Sequence, residues 1–248
     1  MLIFGHRGAS GYAPENTFAA FDRALELGAD GIETDVRITR DGVRVGLHDA
    51  SVNRTSNGRG RVAQLDWSEI ARLDAGGWYG ASFAGERVPR VDEMLDRYVG
   101  RLQLILELKV DAARQPLVEL LKQRGLAQSR TLRVIGFSWS TVQVFASALP
   151  ELRIGFLTFH LNAGLIRKVA GSAVAELWPK VAAVEPALVE RAHEAGLTVG
   201  TWDVRAQQQV ARSAEASVDA ITLDYPDWAI GYRDPVTYGG TPDAAASS

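Results

Sequence analysis

Apolar and polar positions along the chain follow two alternating rhythms. Short runs rich in Val, Ile and Leu recur between longer stretches in which apolar residues return every three or four positions. The short runs predict strands at 2–8, 31–38, 103–109, 133–138, 153–158, 181–185, 198–204 and 220–224. The longer ones predict helices such as 17–27, 91–99, 116–124 and 188–194. Gly28, Gly125 and Gly196 follow three of them, where a helix C-terminus favours the residue without a Cβ. Strands that alternate with helices are joined by crossovers, so the sheet is expected to be parallel. Eight such units in 248 residues match a single (β/α)8 barrel. An open doubly wound sheet is the alternative, and the poorly punctuated stretch 163–179 makes the sixth unit the hardest to delimit.

One segment breaks the alternation. From 50 to 89 the chain turns polar and glycine-rich, with Asn53-Arg54-Thr55-Ser56-Asn57-Gly58 and later Gly76-Gly77-Trp78-Tyr79-Gly80. So long a connection in a compact domain is functional or carries small elements of its own. It is expected to be a small insertion after the second strand that caps the barrel mouth. The barrel domain is expected to span 1–234, and the small, polar 235–248 to be a flexible tail.

Composition narrows the function classes. With 46% hydrophobic and 23% charged residues there is apolar material for one sizeable core. The net charge of −3 gives no footprint for nucleic acid or an anionic membrane, so an anionic substrate must be drawn in by local cations. The absence of cysteine removes disulfides, thiolate metal sites and cysteine nucleophiles. Met1 leads straight into Leu2-Ile3-Phe4 with no leader pattern, and no apolar run approaches the roughly 18 residues of a membrane span, so a cytoplasmic protein with no membrane insertion is expected.

In a barrel, chemistry sits at the C-terminal strand ends. The first strand delivers His6 and Arg7 there. The second carries Glu33 and Asp35, spaced i, i+2 and therefore on one face. A short extended segment, 43–47, leads to His48-Asp49. The third strand carries Glu107 and Lys109, and the seventh Trp202. Three carboxylates aimed into a barrel are costly unless paired or bound to a cation. Hard oxygen ligands without thiolates suit Mg2+ or Ca2+; the simpler reading is a salt-bridge network with Arg7 and Lys109. Two imidazoles on the same rim can serve as general acid and base, while Arg7 and Lys109 suit a phosphate. Asn16 reads as a helix N-cap, and His160 and His193 as ordinary loop and surface-helix residues.

Taken together, His6-Arg7-Gly8, Pro14-Glu15-Asn16-Thr17, Glu33-Thr34-Asp35-Val36, His48-Asp49, Glu107-Leu108-Lys109 and Asp219-Ala220-Ile221-Thr222-Leu223-Asp224 resemble the glycerophosphodiester phosphodiesterase family. The resemblance implies a TIM barrel that hydrolyses small-molecule glycerophosphodiesters (deacylated phospholipids) to sn-glycerol 3-phosphate and an alcohol. It implies a divalent cation, Ca2+ or Mg2+, on Glu33, Asp35 and Glu107, acid–base catalysis by His6 and His48, and substrate contacts from Arg7, Lys109 and Trp202. Departures from the family pattern fall elsewhere: Trp-Thr-Val-Asn reads Trp202-Asp203-Val204-Arg205, Pro-Thr-Leu reads Pro89-Arg90-Val91, and Ser-Phe-Asp reads Gly136-Phe137-Ser138. They point to altered specificity rather than a different reaction. Two rival readings keep the barrel: a lysophospholipase D-type phosphodiesterase, with an apolar groove from Trp78, Tyr79 and Phe83, and a non-catalytic glycerol-phosphate-binding protein.

Overall fold

The computed structural model describes residues 1–233, so the tail expected at 235–248 lies outside the described residues. Chain order is β1 (Leu2–His6), α1 (Phe18–Glu26), β2 (Gly31–Ile38), β3 (Arg44–Gly46), α2 (Trp67–Ile70), α3 (Val91–Tyr98), β4 (Gln103–Leu108), α4 (Arg114–Gln123), β5 (Leu132–Gly136), α5 (Trp139–Ala148), β6 (Arg153–Thr158), α6 (Ala163–Ala170), β7 (Glu176–Pro179), α7 (Pro186–Glu194), β8 (Thr198–Val204), α8 (Gln207–Glu215) and β9 (Ala220–Leu223). Because β1 pairs in parallel with both β9 and β2, the eight parallel strands β1, β2 and β4–β9 close into a barrel. That closure decides against the open sheet. The ninth strand, β3, lies antiparallel on β2 at Val36–Ile38, beyond the point where β1 stops.

Two apolar layers hold the barrel. Inward side chains Phe4, Ile105, Ile135, Leu157, Trp178 and Ala220 fill its interior. The indole of Trp178 is accommodated by two glycines: a Cβ at Gly200 would lie 2.4 Å from it, and one at Gly155 2.6 Å. Outside, helix faces bury Phe21, Met94, Tyr98, Leu117, Phe145, Ile166 and Val189 against the strands. Each such large side chain contributes about 1.5–3 kcal/mol when fully buried.

Two expectations need correction. The sixth barrel strand is Glu176–Pro179, and the residues predicted as that strand form a 3-10 turn at Val181–Ala183. Glu176 is a buried carboxylate neutralised by Arg133, so this strand does not begin as an apolar run. Val181 and Val184, three apart, bury one side of the turn instead. The N-cap of α1 is Thr17, whose Oγ1 accepts from the Ala20 N–H, and not Asn16. Asn16 takes a left-handed φ of 56° and faces the barrel.

Residues 50–89 contain α2 and 3-10 turns at Val62–Gln64 and Ala81–Phe83. Val52, Val62, Ile70, Ala75 and Val88 form a small core of their own with Val45 and Leu47, on and beside β3. No described helix is long and apolar enough to cross a membrane.

Candidate active site

Register places the acids before any side chain is considered. His6 on β1 lies beside Glu33 on β2, and Asp35 lies beside Glu107 on β4. Neighbours in a parallel register share a face, so all four point into the barrel at its C-terminal end. Carboxylate oxygens of Glu33, Asp35 and Glu107 lie within 4.8 Å of one another, and all three residues are buried.

The chain turns sharply after β1. Arg7 has φ 56°, an uncommon value for a residue with a side chain, and its N–H then points at Glu33 Oε2, 3.0 Å away. Its guanidinium reaches Glu15 Oε1 at 2.8 Å and lies 3.2 Å from Asp35 Oδ2. Lys109 Nζ is paired with Glu107 and lies 3.2 Å from Asp35 Oδ1. Arg7 and Lys109, expected on a phosphate, thus neutralise the acids here, and both remain on the same rim. Asn16 closes the far side of Asp35: its Nδ2 donates to Asp35 Oδ2 at 2.7 Å, and its Oδ1 accepts from Thr34 Oγ1 at 2.8 Å.

Each half-buried histidine is oriented through Nδ1 by a carboxylate. His6 Nδ1 is 2.7 Å from Asp224 Oδ1, at the end of β9, and Ser10 Oγ donates to the same oxygen at 2.9 Å. His48 Nδ1 is 2.8 Å from Asp49 Oδ1. The backbone of His48 is anchored too: Leu47 N–H donates to Asp35 O at 3.1 Å, and the Arg37 guanidinium donates to His48 O at 2.6 and 2.8 Å. Fixing Nδ1 in this way leaves Nε2 as the nitrogen for chemistry.

Electrostatics separate groups of the same kind. Burial, and then Asp35 beside it, push the Glu33 carboxyl above the usual range; Glu107 is raised for the same reasons. Burial acts on Asp35 in that direction too, but Lys109 and Arg7 outweigh it and hold Asp35 low. For His6, burial would lower the pKa, yet the Asp224 hydrogen bond and Glu33 raise it overall. Burial lowers His48, and Asp35 and Asp49 only partly compensate.

The donor set fits a hard divalent cation. Glu33 Oε1 and Asp35 Oδ1 are buried and accept no hydrogen bond; the Lys109 ammonium is at ion-pair distance from the latter without hydrogen-bond alignment. Unsatisfied buried carboxylate oxygens are costly, and a cation satisfies them.

Trp202 stands across the mouth. A bulge between Thr201 and Val204, with Asp203 at φ 63°, interrupts β8 there. The indole Nε1 donates to Thr158 O at 3.2 Å, and Phe137 and Phe159 pack edge-on at 5.2 and 5.3 Å between ring centroids. The mouth therefore has an ionic half on β9, β1, β2 and β4, and an aromatic half at the ends of β5, β6 and β8. Trp78, Tyr79 and Phe83 pack on one another in the insertion. His193 pairs with Asp219, which precedes β9 at the other end of the barrel, and His160 sits in an exposed loop.

Three contributors had no role assigned from sequence: Asp224, Glu15 and Arg54; Asn16, read there as a helix N-cap, serves Asp35 instead. Asp49 appeared there only as the neighbour of His48. Arg54, from the insertion, bonds both Glu15 and Asp49 and links the insertion to the rim. The available signal for Asp224 was its place at the end of the last strand, since closure makes that strand the neighbour of the first.

A parallel barrel with a carboxylate cluster, two oriented imidazoles and two cations on its C-terminal rim defines a hydrolase built for an anionic ester. The profile of the Glycerophosphoryl diester phosphodiesterase family matches residues 6–228, and the chain belongs to that family. It is 34% identical over 238 residues to a glycerophosphodiester phosphodiesterase of Caldanaerobacter subterraneus subsp. tengcongensis, covering 91% of this chain and 95% of the relative. YhdW of Bacillus subtilis is 36% identical over 238 residues, 93% of this chain and 97% of YhdW. Among solved structures, a glycerophosphodiester phosphodiesterase from Agrobacterium tumefaciens superposes with a TM-score of 0.80 at 34% identity, covering 92% of this chain and 98% of the other. A phosphodiesterase from Oleispira antarctica, in complex with the product sn-glycerol-3-phosphate, gives 0.84 at 28% identity, with 94% and 96% covered. The enzyme class is accordingly that of a glycerophosphodiester phosphodiesterase.

Proposed function

We propose that this chain hydrolyses glycerophosphodiesters to sn-glycerol 3-phosphate and an alcohol, using a divalent cation, Ca2+ or Mg2+, on Glu33, Asp35 and Glu107. The observation that carries the reading is the cluster of three buried carboxylates within 4.8 Å beside two imidazoles, each fixed through Nδ1. When bound, the cation supplies charge neutralisation and polarisation of the phosphoryl oxygens. Arg7 and Lys109 exchange part of their pairing with the acids for the phosphate, Arg7 as a planar fork and Lys109 as a point charge.

Opposed shifts of the two imidazoles suit different roles. His6, whose proton is held by Asp224, protonates the leaving oxygen. His48, kept neutral by burial, accepts a proton through Nε2 from the water that attacks phosphorus as the bond to the leaving oxygen breaks. The Asp224 hydrogen bond is the largest of the effects that raise His6, so Asp224 is the group that holds its proton. The Oleispira relative holds sn-glycerol-3-phosphate, which supports the proposed product.

Hydrolysis of glycerophosphocholine and glycerophosphoethanolamine is measured with EDTA, then with Ca2+, Mg2+ or Mn2+ restored. Activity that vanishes with chelation and returns with one cation supports the reading. Full activity in EDTA, or near-full activity in His6→Ala or His48→Ala, sinks it.

The aromatic half of the mouth favours a second reading in which the diester carries an acyl chain. Phe137 and Phe159 are 38% and 56% exposed, unusual for paired phenylalanines beside a catalytic rim. Comparing lysophosphatidylcholine with glycerophosphocholine as substrates separates the two.

A further inference from the structure

At the end of the barrel opposite the catalytic rim, the first residues of β1 and of β4 through β9 surround a cavity of about 670 Å3. That volume lies within the range of small-molecule sites, roughly 300–1,000 Å3. Its chemistry is basic in a protein whose net charge is −3. Arg130, Arg133 and Arg153 line it, against the carboxylates of Glu176 and Asp219.

The acids are already committed. Asp219 Oδ2 accepts from the Val199 N–H at 2.7 Å and lies 2.8 Å from His193 Nε2. Glu176 Oε2 accepts from Trp178 Nε1 at 3.0 Å, and its Oε1 lies 3.2 Å from Arg133 Nε and 3.5 Å from Arg153 Nη1. One carboxylate is thus shared between two guanidiniums. Arg133 is buried and fixed, with its guanidinium 5.4 Å over the Phe4 ring and Nη1 donating to Gln103 Oε1. Arg153 is half exposed, and the exposed Arg130 has no ion-pair partner among the described residues. The floor is therefore rigid and built, while two guanidinium forks at its edge have donors to spare.

We propose that this cavity is an anion site for a small phosphate dianion, free or as a monoester. Arg130 and Arg153 grip the phosphoryl oxygens, with Arg133 behind them. The remaining volume takes an organic substituent against Trp178 and Val218. This inference does not depend on the chemistry at the rim.

The Trp178 indole N–H is a local reporter. Its 1H–15N resonance, assigned with Trp178→Phe, is followed while inorganic phosphate, and separately sn-glycerol 3-phosphate, is added at low salt. A saturable shift is expected, weakened about tenfold or more in Arg130→Ala/Arg153→Ala. That double variant keeps the far-UV circular dichroism and thermal midpoint of the wild type, which shows that it is folded. Lys109→Ala, altered only at the rim, keeps the shift. Saturation by inorganic phosphate alone assigns the free ion, and tighter saturation by the ester assigns an organic phosphate. The proposal is overturned if Trp178 does not move in a saturable way up to on the order of 10 mM of either ligand, or moves equally in the double variant.

Discussion

Arg54, in the insertion, holds Glu15 through both carboxylate oxygens, at 2.7 and 2.8 Å. The same guanidinium donates to Asp49 at 2.8 and 3.1 Å. Glu15 in turn holds Arg7, and Asp49 holds His48. One exposed arginine therefore braces a phosphate-binding candidate and an acid–base candidate together. Arg54→Ala is expected to lower kcat about 10–100-fold, with far-UV circular dichroism unchanged. Arg54→Lys recovers only part of it, because an ammonium cannot reproduce the planar fork. Unchanged kcat in Arg54→Ala would show that the brace is not used.

Acid sensitivity should follow the same contacts. The Asp49 carboxyl is held low by the Arg54 hydrogen bonds, and Glu15 is held low by Arg54 and Arg7, which outweigh its burial. A carboxyl whose pKa is depressed in the folded state contributes stability above its unfolded pKa. It loses that contribution as pH falls through the folded value. The stability gap between the wild type and Arg54→Ala is thus expected to be widest near neutrality and to begin to narrow below about pH 4. Thermal midpoints of both proteins from pH 7 to pH 3 measure it.

Removal and return of the cation should register in stability as well as in activity. Glu33 is raised by burial and by Asp35, so the folded protein favours its protonated form, and this favoured contribution fades as pH rises through the folded pKa. A cation competes with that proton, so its affinity is expected to increase with pH and its uptake to release protons. At about 100 times Kd the stabilisation is about 2.7 kcal/mol, or roughly 5–10 °C in Tm for a chain of this size. Differential scanning calorimetry in EDTA and with Ca2+ or Mg2+ checks the shift, and Glu33→Gln should abolish most of it.

The pH–rate profile is expected to be bell-shaped, with His48 setting the acid limb and His6 the alkaline limb. Asp224→Asn removes the hydrogen bond that raises His6 and so moves the alkaline limb to lower pH, leaving the acid limb in place. Asp49→Asn should act on the acid limb. Identical displacement of both limbs by either change would contradict the assignment. Loss of either imidazole is expected to cost about 10²–10⁴-fold in kcat.

Inside the barrel, Gly200→Ala places a Cβ against Trp178 that the present packing excludes, 2.4 Å from the ring. Overpacking of this kind costs about 1–3 kcal/mol. Denaturant unfolding of the variant measures it, and a midpoint equal to wild type would mean that the indole can shift freely.

Much of this protein is written in local patterns. Seven of the eight barrel strands are legible in the sequence, because a buried strand is a short apolar run and a crossover helix an amphipathic one. The pairing of Glu33 with Asp35 on one face is also local, a consequence of the two-residue period of a strand. The seventh strand in chain order, β7, escaped because its first side chain is a buried glutamate that reads as polar until Arg133, 43 residues earlier, is seen beside it. Asn16 was misread for a related reason: N-cap chemistry is a local signal, and its real partner is Asp35, 19 residues on. Asp224 meets His6 across 218 residues, and Arg54 meets Glu15 across 39. The sequence by itself determined which elements form and which residues stand at their ends. Tertiary structure decided which of those residues touch, because barrel closure brings the last strand to the first and folds the insertion back over the rim, and neither contact has a period along the chain.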